Sequence, residues 1–231
     1  VEGARLIAGG NIIIAKGMNG AGKGSLKAGG DIVVKFLENV NVIAGGYIQA
    51  EAILHSKVSA GTEVRVEGRR GIIVGGHVQA AQKITAKTIG ASMGATTVLE
   101  VGVNPLVKAQ YSRVQKNKED VEKTKKDAEV ILGNFKDKMR KGGQVNEGQL
   151  RYMKSVASLV DEKAAEIEQL DLKLEKLRSM METQKHAEVV VQDLIHPGTT
   201  IVIGDASRTL QNDFHFCRFV REMGEVKMAP M

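Results

Sequence analysis

The chain has 231 residues, 42% of them hydrophobic and 26% charged, with a formal net charge of +6. That balance supports one large core or two modest ones and excludes intrinsic disorder. No window holds the roughly eighteen consecutive apolar residues of a membrane span. The opening Val1-Glu2-Gly3-Ala4-Arg5 has no basic region leading into an apolar run, so the chain reads as cytoplasmic. A start on Val1, in strand-like sequence, reads as the interior of a longer gene product. The single cysteine, Cys217, excludes an internal disulfide and a four-cysteine zinc site.

Glycine is frequent, at 26 residues, Trp is absent, and Phe and Tyr number 5 and 3, so an aromatic-anchored core is excluded and something repetitive must replace it. Most glycines fall between Gly3 and Gly102, which puts a composition boundary near Pro105. Five copies align on a glycine pair: Leu6-Ile7-Ala8-Gly9-Gly10-Asn11-Ile12, Leu26-Lys27-Ala28-Gly29-Gly30-Asp31-Ile32, Val42-Ile43-Ala44-Gly45-Gly46-Tyr47-Ile48, Val58-Ser59-Ala60-Gly61-Thr62-Glu63-Val64 and Ile72-Ile73-Val74-Gly75-Gly76-His77-Val78. Their first glycines are 20, 16, 16 and 14 residues apart. Between copies, branched residues recur at Val42, Ile48, Ile53, Val58 and Val64, and again at Ile72, Val78, Ile84 and Ile89, so three short strands make one turn. A β-solenoid over residues 1–104 follows, each turn burying its inward Val, Ile, Leu and Ala on the next. The Gly-Gly corners are expected to supply positive φ. Turns of unequal length depart from the strict eighteen-residue turn of the left-handed acyltransferase helix, and the expectation is a right-handed parallel β-helix.

From Leu106 the spacing changes to three and four: Val107, Tyr111, Val114, Lys118, Val121, Lys125, Ala128, Leu132, Phe135 and Met139. A second such run covers Met153, Val156, Val160, Lys163, Ile167, Leu170, Leu174, Leu177 and Met181, and a breaker from Gly142 to Gly148 lies between. Residues 105–187 therefore predict an antiparallel coiled-coil hairpin, each helix about 50 Å long at ~1.5 Å per residue, projecting from the solenoid. Outer charges such as Glu119, Lys123, Asp127, Lys173 and Lys176 read as its solvated face. Strand signals return at Val189-Val190-Val191 and Ile195-His196-Pro197-Gly198, so residues 188–231 predict strands that complete the coil. Met223-Gly224-Glu225 predicts a hairpin turn in a segment that caps the stack.

Several phrases in this order resemble the flagellar assembly protein A family: Ala28-Gly29-Gly30-Asp31-Ile32, Lys35-Phe36-Leu37-Glu38-Asn39, Leu54-His55-Ser56, Gly71-Ile72-Ile73-Val74-Gly75-Gly76, Ala86-Lys87-Thr88-Ile89-Gly90 and Val220-Arg221-Glu222-Met223-Gly224-Glu225-Val226. The resemblance covers nearly the whole chain. It implies a bacterial cytoplasmic protein with a β-helix interrupted by a helical hairpin, a part in flagellar assembly, and a further amino-terminal domain. It carries over no catalytic residue.

The motifs that suggest chemistry each have a plainer reading. Gly17-Met18-Asn19-Gly20-Ala21-Gly22-Lys23-Gly24-Ser25 approaches a phosphate-binding loop, but Gly24 stands where Ser or Thr should hold magnesium and a strand follows instead of a helix. A loose solenoid corner is the better reading. His55 and His77 could act as general bases of a solenoid acyltransferase, yet each lies inside a repeat with no carboxylate nearby in sequence. Asp31 is the only aspartate before residue 105, which argues against a calcium-dependent polysaccharide lyase. Asp213, His215 and Cys217 alternate and could point the same way, but three ligands are too few for a closed zinc site. Arg65, Arg69 and Arg70 form a candidate nucleic-acid patch; only Phe36 and Tyr47 could stack a base in the first hundred residues, and basic charge is spread over the segments.

No catalytic residue, cofactor or metal site is assigned. The expected function is a non-enzymatic scaffold whose hairpin meets a protein partner, a flagellar-assembly or polar-localisation factor, or a second copy in a homo-oligomer. The candidate interaction residues are Gly142, Gly143, Val145 and Asn146 at the hairpin's turn, with Leu170, Leu174 and Leu177 on its seam. The alternatives are a nucleotide or acyl-transfer module using Lys23, His55 or His77, and a weak basic-surface binder of nucleic acid.

Overall fold

The computed structural model describes residues 1–92, 94–142, 145–182 and 186–231. Eleven strands come first: β1 (Arg5–Ala8), β2 (Ile12–Asn19), β3 (Ser25–Ala28), β4 (Ile32–Glu38), β5 (Asn41–Ala44), β6 (Ile48–Ala50), β7 (Ala52–Ala60), β8 (Glu63–Val66), β9 (Ile72–Ala80), β10 (Lys83–Ile89) and β11 (Thr97–Val101). Two helices follow, α1 (Pro105–Arg140) and α2 (Glu147–Glu182). The chain then returns to strands: β12 (Glu188–Ile195), β13 (Thr200–Ile203), β14 (Ala206–Thr209), β15 (Phe214–Glu222) and β16 (Glu225–Pro230).

The pairing is parallel from turn to turn, which makes this a β-solenoid with a helical hairpin inserted. One inward ladder runs Leu6, Leu26, Val42, Val58, Val78, Leu99 and Ile201. A second runs Ile12, Ile32, Ile48, Val64, Ile84 and Val189, and a third Met18, Leu37, Ile53, Ile73, Ile89 and Ile195. Three short strands thus make each turn, and these side chains, almost all fully buried, are the core. Each inward residue finds its apolar partner one turn away, so stacking replaces the interdigitation of a globular core.

The glycine corners work differently from the expectation. Gly9, Gly29, Gly45 and Gly61 are not in the positive-φ region. Gly29, Gly45 and Gly61 are glycine because the stack is too close for a Cβ, whereas Gly9, in the first turn, has open space there. One added to Gly45 would lie 2.1 Å from Gly29 O, and one added to Gly61 would lie 1.9 Å from Gly45 O. The second glycines make room for side chains that bind the next turn. Asn11 Oδ1 accepts from Asp31 N at 2.8 Å and Asp31 Oδ1 from Tyr47 N at 2.9 Å, each lying over Gly30 or Gly46.

The fifth copy of the repeat is also reassigned. Val78 pairs with Val58 and Ala80 with Ala60, so Ala81, not Gly75, continues the corner of Gly61. Gly75 and Gly76 belong to another corner, where they do have positive φ, 68° and 84°. There Gly75 stacks on His55, itself at φ 47°. Accordingly Ile73 points inward and Ile72 is half-buried.

The hairpin is inserted at a solenoid corner. β11 continues the first ladder to Val101, and β12 enters the second ladder with Glu188 beside Lys83 and Val189 beside Ile84. The corner that Gly61-Thr62 spans between β7 and β8 is here replaced by the whole of α1 and α2, and β12 enters in the register of β8, with Glu188 and Val189 where Glu63 and Val64 stand a turn earlier.

The end of the coil is closed by antiparallel pairing. β14 folds onto β13, and β15 runs antiparallel to β12 with β16 outside it. Phe219 and Cys217 fill the end of the core, and Phe214 meets Phe219 edge-on at 6.2 Å. Met223 and Gly224, both at positive φ, form the predicted two-residue turn. The chain divides into two compact units, Val1–Lys108 with Met181–Met231, and Ala109–Met180.

Candidate functional site

The hairpin's start is built by Asn104. Its Oδ1 accepts from Leu106 N at 2.9 Å and from Val107 N at 3.4 Å, capping α1, and Pro105 takes the first helical position, where it needs no amide. The same side chain donates through Nδ2 to Gly61 O at 3.2 Å, tying the cap to an earlier turn. One turn into α1, the Lys108 ammonium binds the Glu100 carboxylate.

Glu100, on β11, collects three donors, two from β9 and one from α1. His77 Nε2 lies 3.1 Å away and Gln79 Nε2 2.7 Å away, with Lys108 on the other oxygen. The side chain is 9% exposed, and its carboxyl is held at about 2, below its ordinary 4.5. The His77 hydrogen bond is the largest cause, burial opposes it, and Lys108 and Gln79 add to it. Sequence reasoning missed this carboxylate as the partner of His77. The signal was a spacing of one solenoid turn, since Gln79 and Glu100 are register partners on β9 and β11.

The seam has the expected period. Val114, Val121 and Ala128 on α1 and Val156 and Leu177 on α2 are buried, while Tyr111, Lys118, Lys125, Leu132 and Phe135 are half-buried. The helices are antiparallel: Phe135 meets Tyr152 at 6.0 Å, and Lys118 Nζ reaches Asp171 Oδ1 at 2.6 Å. The Asp171 carboxylate raises the Lys118 pKa. Met139, at the end of the predicted α1 seam, is 48% exposed.

The candidate interaction residues fall into two groups. Leu170 and Leu174 are half-buried and Leu177 is buried, so they hold the two helices together. Asn146 is exposed and caps α2: its Oδ1 accepts from Gln149 N at 2.8 Å while Gln149 Oε1 accepts from Asn146 N at 3.2 Å, a reciprocal pair. Gly142 ends α1 at φ 77° with its N–H on Met139 O at 3.1 Å and open space where a Cβ would stand. Val145 is half-buried, and Gly143 lies outside the described residues.

The other candidates are dispersed. Lys23 is exposed in a turn between β2 and β3; Gly20 there could not carry a Cβ, which would lie 2.2 Å from Asn39 O. His55 is exposed at its corner. Asp213, His215 and Cys217 do not converge. A bulge with Phe216 at φ 46° breaks the expected alternation, leaving His215 exposed and Cys217 buried, its thiol pKa raised by burial, while Asp213 binds His196 Nδ1 at 3.0 Å. Among the described residues no three His, Cys, Asp or Glu side chains group as metal ligands. Arg65 is engaged by Glu63 at 2.8 Å and lies over the Tyr47 ring, while Arg69 and Arg70 are exposed in the next turn.

The family model for the Flagellar Assembly Protein A beta solenoid domain matches residues 1–226. The chain belongs to that family. Membership points to a role in flagellar assembly, and the solenoid with its inserted hairpin is the fold it brings. None of the curated proteins and none of the solved structures matches the chain at a significant level. Among the described residues, no helix of this family member is long and apolar enough to cross a membrane.

Proposed function

We propose that this chain is a non-enzymatic cytoplasmic scaffold in flagellar assembly or polar organisation. The solenoid is its rigid body, and the hairpin is the element that meets a partner or a second copy. The observation that carries this reading is the insertion itself: about seventy residues of helix occupy a corner that two residues span elsewhere, and β12 beyond it enters in the register of β8. An element the solenoid does not need for its own stacking is available for contact. Val145 and Asn146 beside the turn are the proposed contact residues, with Gly142 shaping the turn and Leu170, Leu174 and Leu177 acting by keeping the helices paired.

The test is complementation of a deletion strain, at matched expression, with the full gene and with a version whose residues 103–187 are replaced by a two-residue corner. The full gene restores swimming and flagellar number and the excised one does not. Equal rescue by both would remove the hairpin from the function, and a deletion strain that swims normally would remove the flagellar role.

A further inference from the structure

We propose that the turn end of the hairpin binds the surface of an anionic lipid bilayer. This rests on the reading of the hairpin as the contact element and names what it touches.

Counting charge by segment hides an asymmetry that folding exposes. The antiparallel helices bring Lys136, Lys138, Arg140 and Lys141 to the same end as Arg151 and Lys154, all exposed, against only Asp137 and Glu147. Of these cations Arg151 faces Glu147 at 3.7 Å, and the other five have no ion pair among the described residues. Further along the hairpin the charges balance: residues 109–135 and 155–180 hold ten basic side chains against eleven acidic ones, with Lys118, Lys125 and Lys163 in ion pairs. Uncompensated positive charge is thus collected at one end.

Three large apolar side chains are exposed in the same place: Met139 at 48%, Leu150 at 42% and Tyr152 at 51%. Basic side chains around apolar ones match a headgroup layer, where cations meet phosphates while Leu, Met and the Tyr ring enter the acyl boundary. The angular spread selects a lipid surface over a protein groove. At about 100° per residue, Lys136, Arg140 and Lys138 point over roughly 200° of the α1 circumference. An acidic helix laid along the hairpin would need them in one stripe, whereas a planar, diffusely charged surface meets them all end-on. Nucleic acid is disfavoured because Tyr152, its ring already against Phe135, is the one exposed aromatic at this end.

The experiment is co-sedimentation of the full chain with phosphatidylcholine vesicles, with and without phosphatidylglycerol, at low and high salt. Two surface variants accompany it, Lys138→Gln/Arg140→Gln/Lys141→Gln and Met139→Ser/Leu150→Ser, each checked for unchanged helix content. The chain sediments with the anionic vesicles only. The charge variant loses roughly five-fold per cation removed, on the order of a hundred-fold in all, and the apolar variant loses the binding that persists at high salt. Absence of binding to anionic vesicles overturns the proposal, as does equal binding to neutral ones, a charge variant that binds like the parent, or capture of duplex DNA in place of vesicles. Failure here together with a swimming defect on hairpin excision would leave the hairpin a protein contact, so the two readings fail separately.

Discussion

Gly102 and Ala187 flank the helical hairpin in sequence and lie close in space: a Cβ added to Gly102 would lie 3.4 Å from Ala187 Cβ and 2.9 Å from Gly204 N. The chain leaves and rejoins the solenoid through one corner, and Lys83 Nζ meets Glu188 at 2.7 Å directly after the return. Whatever the hairpin does, the solenoid can treat it as a long corner.

Two substitutions in one motif separate close approach from backbone conformation. Gly45→Ala puts a Cβ 2.1 Å from Gly29 O, with no positive φ involved, and costs about 2–4 kcal/mol. Gly9→Ala meets nothing within 4 Å and leaves stability nearly unchanged. Denaturant midpoints of the two variants decide it; similar midpoints would contradict the stacking account.

That contrast also marks how far the sequence was legible. The ladders Leu26, Val42, Val58 and Ile32, Ile48, Val64 could be read because branched residues recur with small ones at the corners. The fifth copy was misplaced because Gly75-Gly76 copies the look of a stacked corner, while the true one, Ala80-Ala81-Gln82, has lost its glycines. The heptads were legible down to Leu177, since a two-helix seam depends on local spacing. The Glu100 cluster and the basic hairpin end were not, because both join residues that only the turn length and the antiparallel return bring together.

Glu100 makes stability depend on acid. Its folded carboxyl at about 2 is depressed from an ordinary 4.5, so its contribution is present above 4.5 and is lost as pH falls toward 2. The size is about 3 kcal/mol for the largely buried group. Glu100→Gln lowers the neutral-pH melting temperature and flattens its fall between those limits. Parallel pH profiles for parent and variant would count against the cluster.

Asn146 is both a cap and a proposed contact, and the roles can be told apart. Asn146→Ala removes the bond to Gln149 N and costs about 1 kcal/mol of hairpin stability, whereas Asn146→Ser or Asn146→Asp keeps a capping oxygen. If Ser restores helix stability but not swimming, Asn146 meets a partner. If both return together, it acts only as a cap.

Leu177→Ala empties a buried seam position and costs about 2–4 kcal/mol, read as an earlier loss of helical signal on heating. Leu172→Ala, on an exposed side chain of the same helix, shifts that signal little. Equal effects would mean the helices are paired in another register.

The most direct test of the account is thermal unfolding, followed by circular dichroism and light scattering, of the chain with residues 103–187 replaced by a two-residue corner. The account predicts a monodisperse β-rich protein that loses the helical signal and unfolds in one cooperative transition, because Val101 and Glu188 already occupy adjoining ladders. An unfolded or aggregated product would contradict it, showing that the hairpin is part of what holds the solenoid together.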